Sequence, residues 1–94
     1  MGQSVPAHLP DDVAAVWREL AEGGLDSSRP GFEAYAGQVA RLREAQRRVS
    51  AEGLVVADEK GRPVPHPALE IERKAQVEVR AWGDSFRPRR GRSM

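Results

Sequence analysis

The side chains able to do chemistry in this chain are two histidines, fourteen carboxylates and fifteen cations, with no cysteine at all. His8 and His66 have no carboxylate or cysteine at ligand spacing, so no zinc signature forms around either. Gly23-Gly24 is not followed by Lys-Ser/Thr, and Gly31 opens no Gly-x-Lys pattern, so no phosphate-cradling loop is written here. Asp11-Asp12 and Asp58-Glu59 are paired acids, but they fall at a helix entry and in a turn, where solvent keeps carboxylates ordinary rather than poised for acid–base work. Ser27, Ser28 and Ser50 lack the strand-turn-helix context of a nucleophile. We therefore assign no catalytic residue, no metal ligand and no cofactor, and expect a protein that is not an enzyme. What remains is arginine. Arg41, Arg43, Arg47 and Arg48 cluster in one segment, and Arg87, Arg89, Arg90 and Arg92 crowd the last ten residues without an acid among them. Both groups are candidate phosphate contacts. The bland alternatives are a solvated helix face for the first and, for arginine richness in general, a GC-rich genome.

The elements that would position these arginines follow from pattern and punctuation. Residues 1–9 read as a flexible arm. Pro10-Asp11-Asp12 reads as a helix entry, its acids placed against the positive end of the helix dipole. Val13, Val16, Trp17 and Leu20 follow at i, i+3, i+4 and i+7, one helical face ended by Gly23-Gly24. Trp17 lies in that apolar stripe, which makes it core or subunit interface rather than a residue for stacking on bases. Asp26, Ser27 or Ser28 is placed to cap what comes next. Gly31 to Glu52 is the longest helical pattern, roughly 33 Å at about 1.5 Å per residue. Along it Phe32, Tyr35, Val39, Leu42, Gln46 and Val49 step by threes and fours as a heptad seam, with Gln46 as a register-setting polar member. This seam meets either the first helix or another chain. Leu54 to Ala57 is β-prone, Asp58 to Gly61 is a turn, and Arg62 to Pro65 returns, so a hairpin is expected at about 54–65, with its prolines confined to an edge. An isolated hairpin is marginal in water, so this one must lie on helices or on a neighbouring subunit.

The stretch Gly61 to Arg73 organises the rest. Gly61 can take the positive φ that closes the turn, and prolines 63, 65 and 67 then hold the backbone extended. Pro67 suits the first position of a helix, with His66 as its cap. The third helix should run to about Ser85, burying Ala68, Ile71, Ala75, Val79, Trp82 and Phe86. Leu69 and Val77 would lie outside that face, beside Arg73 and Arg80, and would offer a contact between subunits.

In order and spacing, Gly53-Leu54-Val55-Val56, Lys60-Gly61-Arg62, His66-Pro67-Ala68-Leu69 and Arg80-Ala81-Trp82 resemble the small subunit of phage terminases, over roughly residues 30 to 90. The family usually has Asn where this chain has His66, and Asn is the stronger cap. A short arginine tail also stands where the family continues into an extension. The resemblance implies a DNA-packaging protein that assembles as a ring, engages double-stranded viral DNA and presents it to the large terminase subunit, which holds the ATPase and nuclease.

Combined with the residue reading, the fold expected is mainly α: three helices with a short β-hairpin between the second and third, assembled as a ring oligomer. Residues 10–86 form the helical domain, and 87–94 a basic tail. Tyr35, Val39, Leu42, Gln46, Val49, Leu69 and Val77 would build the ring. Arg41, Arg43, Arg47 and Arg48 and the tail would meet DNA, while the tail or the hairpin around Lys60 and Arg62 would dock the large subunit. No short helix pair with a tight turn announces a helix-turn-helix, so binding would be directed at phosphates. Two other readings stand: a helical adaptor that binds protein only, and a ring that relies on its large subunit for DNA. Ninety-four residues make one small domain, helped by oligomerisation. No apolar run spans a bilayer and the first residues lack the pattern of a signal peptide, which places the expected site of action in the cytoplasm of a bacterial host without membrane attachment.

Overall fold

Two acids after Pro10 start helix α1 (Asp11–Glu22), and its apolar stripe delivers Val16 and Trp17 to the interior. The end of α1 is a Schellman closure: Gly24 N–H bonds back to Ala21 C=O and Leu25 N–H to Leu20 C=O, at 3.1 and 3.2 Å. Gly24 sits at φ 104°, a conformation that a side chain resists. The computed structural model from which these features are read describes residues 4–88.

The expected caps for the next helix act otherwise. Asp26 accepts the Ser28 N–H at 3.0 Å and the Ser28 hydroxyl, fixing the turn rather than the helix. Helix α2 (Phe32–Glu52) starts instead from Gly31 without a side-chain cap. After α2 come strands β1 (Val55–Ala57) and β2 (Pro63–Pro65), then helix α3 (Ala68–Trp82) and a 3₁₀ turn over Gly83–Phe86. The mainly helical architecture with a hairpin between the second and third helices is thus as the sequence led us to expect.

The antiparallel register pairs Val55 with Pro65, Val56 with Val64 and Ala57 with Pro63. Hydrogen bonds flank it at Asp58 N–H to Arg62 C=O and His66 N–H to Leu54 C=O, 2.9 and 2.8 Å. Inward-pointing groups therefore fall on even-numbered residues, and prolines 63 and 65 turn their hydrogen-free nitrogens to the outer edge, where no ladder bond is lost. Gly61 closes the turn at φ 78°.

An aromatic cluster holds one end of the body. Trp17 meets Phe32 edge to face at 5.6 Å, and Phe32 meets Phe86 at 5.4 Å in the same manner. Ala36, Val39 and Ala40 complete it. Val5 and Leu9, from the segment expected to be a loose arm, pack against this cluster, and His8 hydrogen-bonds Glu33 at 2.8 Å. Away from the aromatics, the buried positions of α2 and α3 are small: Ala45, Ala68 and Ala75. Alanines let two helices approach closely but bury little surface.

That choice explains two departures. Ile71 and Trp82 were expected inside, yet are 45% and 56% exposed. They lie roughly 40–60° around α3 from the line of Ala68, Ala75 and Val79, at ~100° per residue, beyond the reach of α2. Gln46, expected in the seam, is exposed, and Ala45 is buried in its place. At ~100° per residue Ala45 lies about 140° around α2 from Phe32, so the far half of the helix packs through a different face, beside Ala68 of α3, and leaves Gln46 outside.

Candidate functional site

The arginine cluster of α2 is not a free cationic patch. Arg43 forms a bidentate pair with Glu19 of α1, Nη1 and Nη2 donating to the two carboxylate oxygens at 2.7 and 2.8 Å. This hydrogen bond and the guanidinium charge hold the Glu19 carboxyl below the ordinary range, and the same bond raises Arg43. Arg47 and Arg48 both turn to Glu44, so two cations share one carboxylate. Arg41 has no ion pair among the described residues and stands in an open depression with Glu44, Ala45, Arg48 and Ile71. Local charge on this face is thus positive but reduced, with Arg41 the cation most available to an anion.

Other cations repeat the pattern. Arg73 pairs with Glu70 at 2.6 Å, Arg62 with Asp58 at 3.1 Å, and Arg87 with Asp84 at 3.2 Å. Asp58 is lowered first by the Arg62 backbone N–H, and it also accepts the Lys60 N–H, so this carboxylate builds the hairpin turn. Arg80, like Arg18, has no ion pair among the described residues and was not singled out as a contact by sequence reasoning; it lines a shallow depression on α3 with Arg73, Gln76 and Val77. Asp84, four residues on, is a candidate partner by spacing, and the structure gives it to Arg87 instead. Arg89, Arg90 and Arg92 lie outside the described residues.

The surfaces assigned to assembly separate into two kinds. Val39 belongs to the chain's own core at 7% exposure, which leaves it little to offer another copy. Tyr35 is half-buried and its ring lies 5.0 Å from that of Phe86, also within the chain. Leu42, Val49 and Leu69 are half-buried, whereas Gln46 and Val77 are exposed. The seam on α2 is therefore partly consumed by α1 and α3. Larger apolar exposure lies where sequence reasoning did not place it, at Leu54, Val55, Ile71 and Trp82.

His66 ties the two surfaces together. It is 6% exposed; its Nδ1 accepts the Ala68 N–H at 2.9 Å and its Nε2 meets a Glu52 carboxylate oxygen at 2.6 Å. The expected cap is real, and it also links the end of α2 to the start of α3. Among the described residues, no group of histidines and carboxylates is arranged to hold a metal ion, and no helix is long and apolar enough to cross a membrane.

Comparison with known families finds a match to a model described as phage terminase, small subunit, over residues 14–87. No curated protein and no solved structure matches.

Proposed function

Because the chain belongs to the phage terminase small-subunit family, we propose that it acts as a non-catalytic packaging subunit: copies close into a ring, the ring binds viral DNA through backbone phosphates, and it recruits and regulates the large terminase ATPase and nuclease in the cytoplasm of the host. One observation carries the assembly step. Among the described residues, Leu54, Val55, Ile71, Val77 and Trp82 are 45–63% exposed, apolar surface at both ends of the α2–α3 pair that neighbouring copies would cover. A ring gives every copy two such contacts.

DNA contact would run through Arg41, the residual charge of Arg43, Arg47 and Arg48, and the tail arginines 87, 89, 90 and 92. A second reading has its own support: Arg43, Arg47 and Arg48 are already engaged by Glu19 and Glu44, which favours a ring whose intrinsic hold on DNA is weak and which leans on the large subunit. Light scattering behind size exclusion tests assembly; a large closed oligomer is expected, and a stable monomer or dimer overturns it in favour of an adaptor. Binding to duplex DNA at two salt concentrations tests the contact, because phosphate-directed affinity must fall steeply with salt. Undetectable binding at the lower salt selects the ring that depends on its large subunit.

A further inference from the structure

The hairpin is the least self-sufficient part of the chain. Val55 and Ala57 on β1 and Pro63 and Pro65 on β2 share one face, and all four are exposed and apolar. Leu54 beside them is 63% exposed, and Val55 60%. The helices pack extensively on one another and at most slightly on the strands. Two three-residue strands without a layer beneath them are marginal in water, so something other than this chain's helices must cover the face.

At the far end of the α2–α3 pair is its complement. Pro30, Ala34, Tyr35, Trp82 and Phe86 line a groove of about 270 Å³ with mostly apolar walls. Exposed Trp82 forms one side, a large ring that gains by leaving water. The hairpin joins the end of α2 to the start of α3, while the groove lies at the start of α2 and the end of α3, roughly 30 Å away along the helices. Knob and groove at opposite ends cannot meet within one copy. Charge permits it: Glu78 stands at the groove and Lys60, next to Glu59, in the hairpin turn, and neither Glu78 nor Lys60 has an ion pair among the described residues. The outer edge of β2 cannot extend a sheet, because prolines 63 and 65 supply no N–H.

Resting on the self-assembly proposed above, we propose that the apolar hairpin face of one copy seats in the α2–α3 groove of the next, a head-to-tail contact whose repetition builds the oligomer. A heterologous contact of this kind closes into a ring when its rotation permits.

The chain's lack of cysteine makes the test direct. Ala57→Cys, on the apolar hairpin face, and Ala34→Cys, at the groove, both fall on exposed positions, so circular dichroism should show unchanged helix content. With both in one chain, oxidation or a short bis-maleimide should yield a ladder of three or more linked copies on a denaturing gel. Each single variant should yield no such ladder. A product that stops at two copies means reciprocal two-fold pairing, and dimers from Ala57→Cys alone mean hairpin-to-hairpin contact; either overturns the head-to-tail arrangement. An oligomer by light scattering that gives no crosslink between copies overturns this contact and leaves self-assembly standing. A monomer overturns both. Val55→Asp, on the same exposed face, should shift the scattering mass to a single chain with its helices intact; an undiminished oligomer overturns the proposal.

Discussion

A histidine whose Nδ1 accepts a hydrogen bond carries its proton on Nε2, and His66 is held so: Ala68 N–H points at Nδ1, which leaves Nε2–H to donate to Glu52. Removing the ring strands the Ala68 amide, and Ala68 is buried. His66→Ala should therefore cost about 1–3 kcal/mol, the scale of a buried donor left unpaired. His66→Asn retains a capping oxygen and gives up only the bond to Glu52, so its loss should stay near or below about 1 kcal/mol. Urea unfolding of both variants at one fixed protein concentration checks the order, since assembly makes apparent stability depend on concentration. Equal losses would mean that the Glu52 bond, not the cap, matters. The Glu19–Arg43 pair gives a second test at this scale. Arg43, chiefly through its hydrogen bonds, keeps the folded Glu19 carboxyl below its ordinary value. The pair's contribution is then present above the unfolded glutamate value of about 4.3 and fades as pH falls through the lowered folded value. Glu19→Gln should be less stable than the parent at neutral pH, and the gap between their unfolding midpoints should narrow on acidification toward pH ~3. Both groups are exposed, so the difference will be small.

Helix ends decide the layout, and α1 shows how. Gly24 provides the left-handed residue of its Schellman closure and swings Leu25 back onto the core. A Cβ there would meet nothing within 4 Å, so Gly24→Ala should cost only the conformational penalty, about 1–2 kcal/mol, read as a lower midpoint in thermal unfolding. A loss well above this would mean that the turn has moved. Boundaries of this kind were legible beforehand because glycines, prolines and paired acids act locally: α1, α2, the hairpin and the His66-Pro67 start of α3 all lie where those residues put them. The contents of the interfaces were less legible. Periodicity marks a face but not its width, so Ile71 and Trp82 were grouped with Ala68 and Ala75 although only the alanines lie under α2. Nor does a helical pattern reveal what a charge will find in another element. Arg43 looked free because its partner Glu19 is 24 residues away, whereas the Glu44–Arg48 pair, four apart, was visible at once. The groove at Tyr35 and Trp82 is a product of packing and left no local trace.

For the whole molecule, the division of its cations into committed and uncommitted ones should appear in the salt dependence of DNA binding. Each phosphate contact adds about 0.9 to the slope of log affinity against log salt on duplex DNA, and in a ring the contacts of several copies act together. Arg41 has no carboxylate partner among the described residues, so Arg41→Ala should flatten the slope by about 0.9 for every copy that touches the duplex. Arg43 is held by both oxygens of Glu19, so Arg43→Ala should leave the slope almost unchanged. Glu44→Gln releases Arg47 and Arg48 from their shared carboxylate and should steepen the slope and tighten binding at low salt. Neutralising Arg87, Arg89, Arg90 and Arg92 together should weaken binding and leave the oligomer intact, because the assembly contact argued above uses the hairpin and the helix groove rather than the tail. Fluorescence anisotropy with a duplex at several salt concentrations, paired with light scattering on the same samples, reads both quantities. If Arg43→Ala flattens the slope as much as Arg41→Ala, the Glu19 pair opens on DNA and the α2 face acts as one continuous patch. If the tail variant falls apart, the tail belongs to the interface between copies, and the cations meeting phosphate are those of α2 alone.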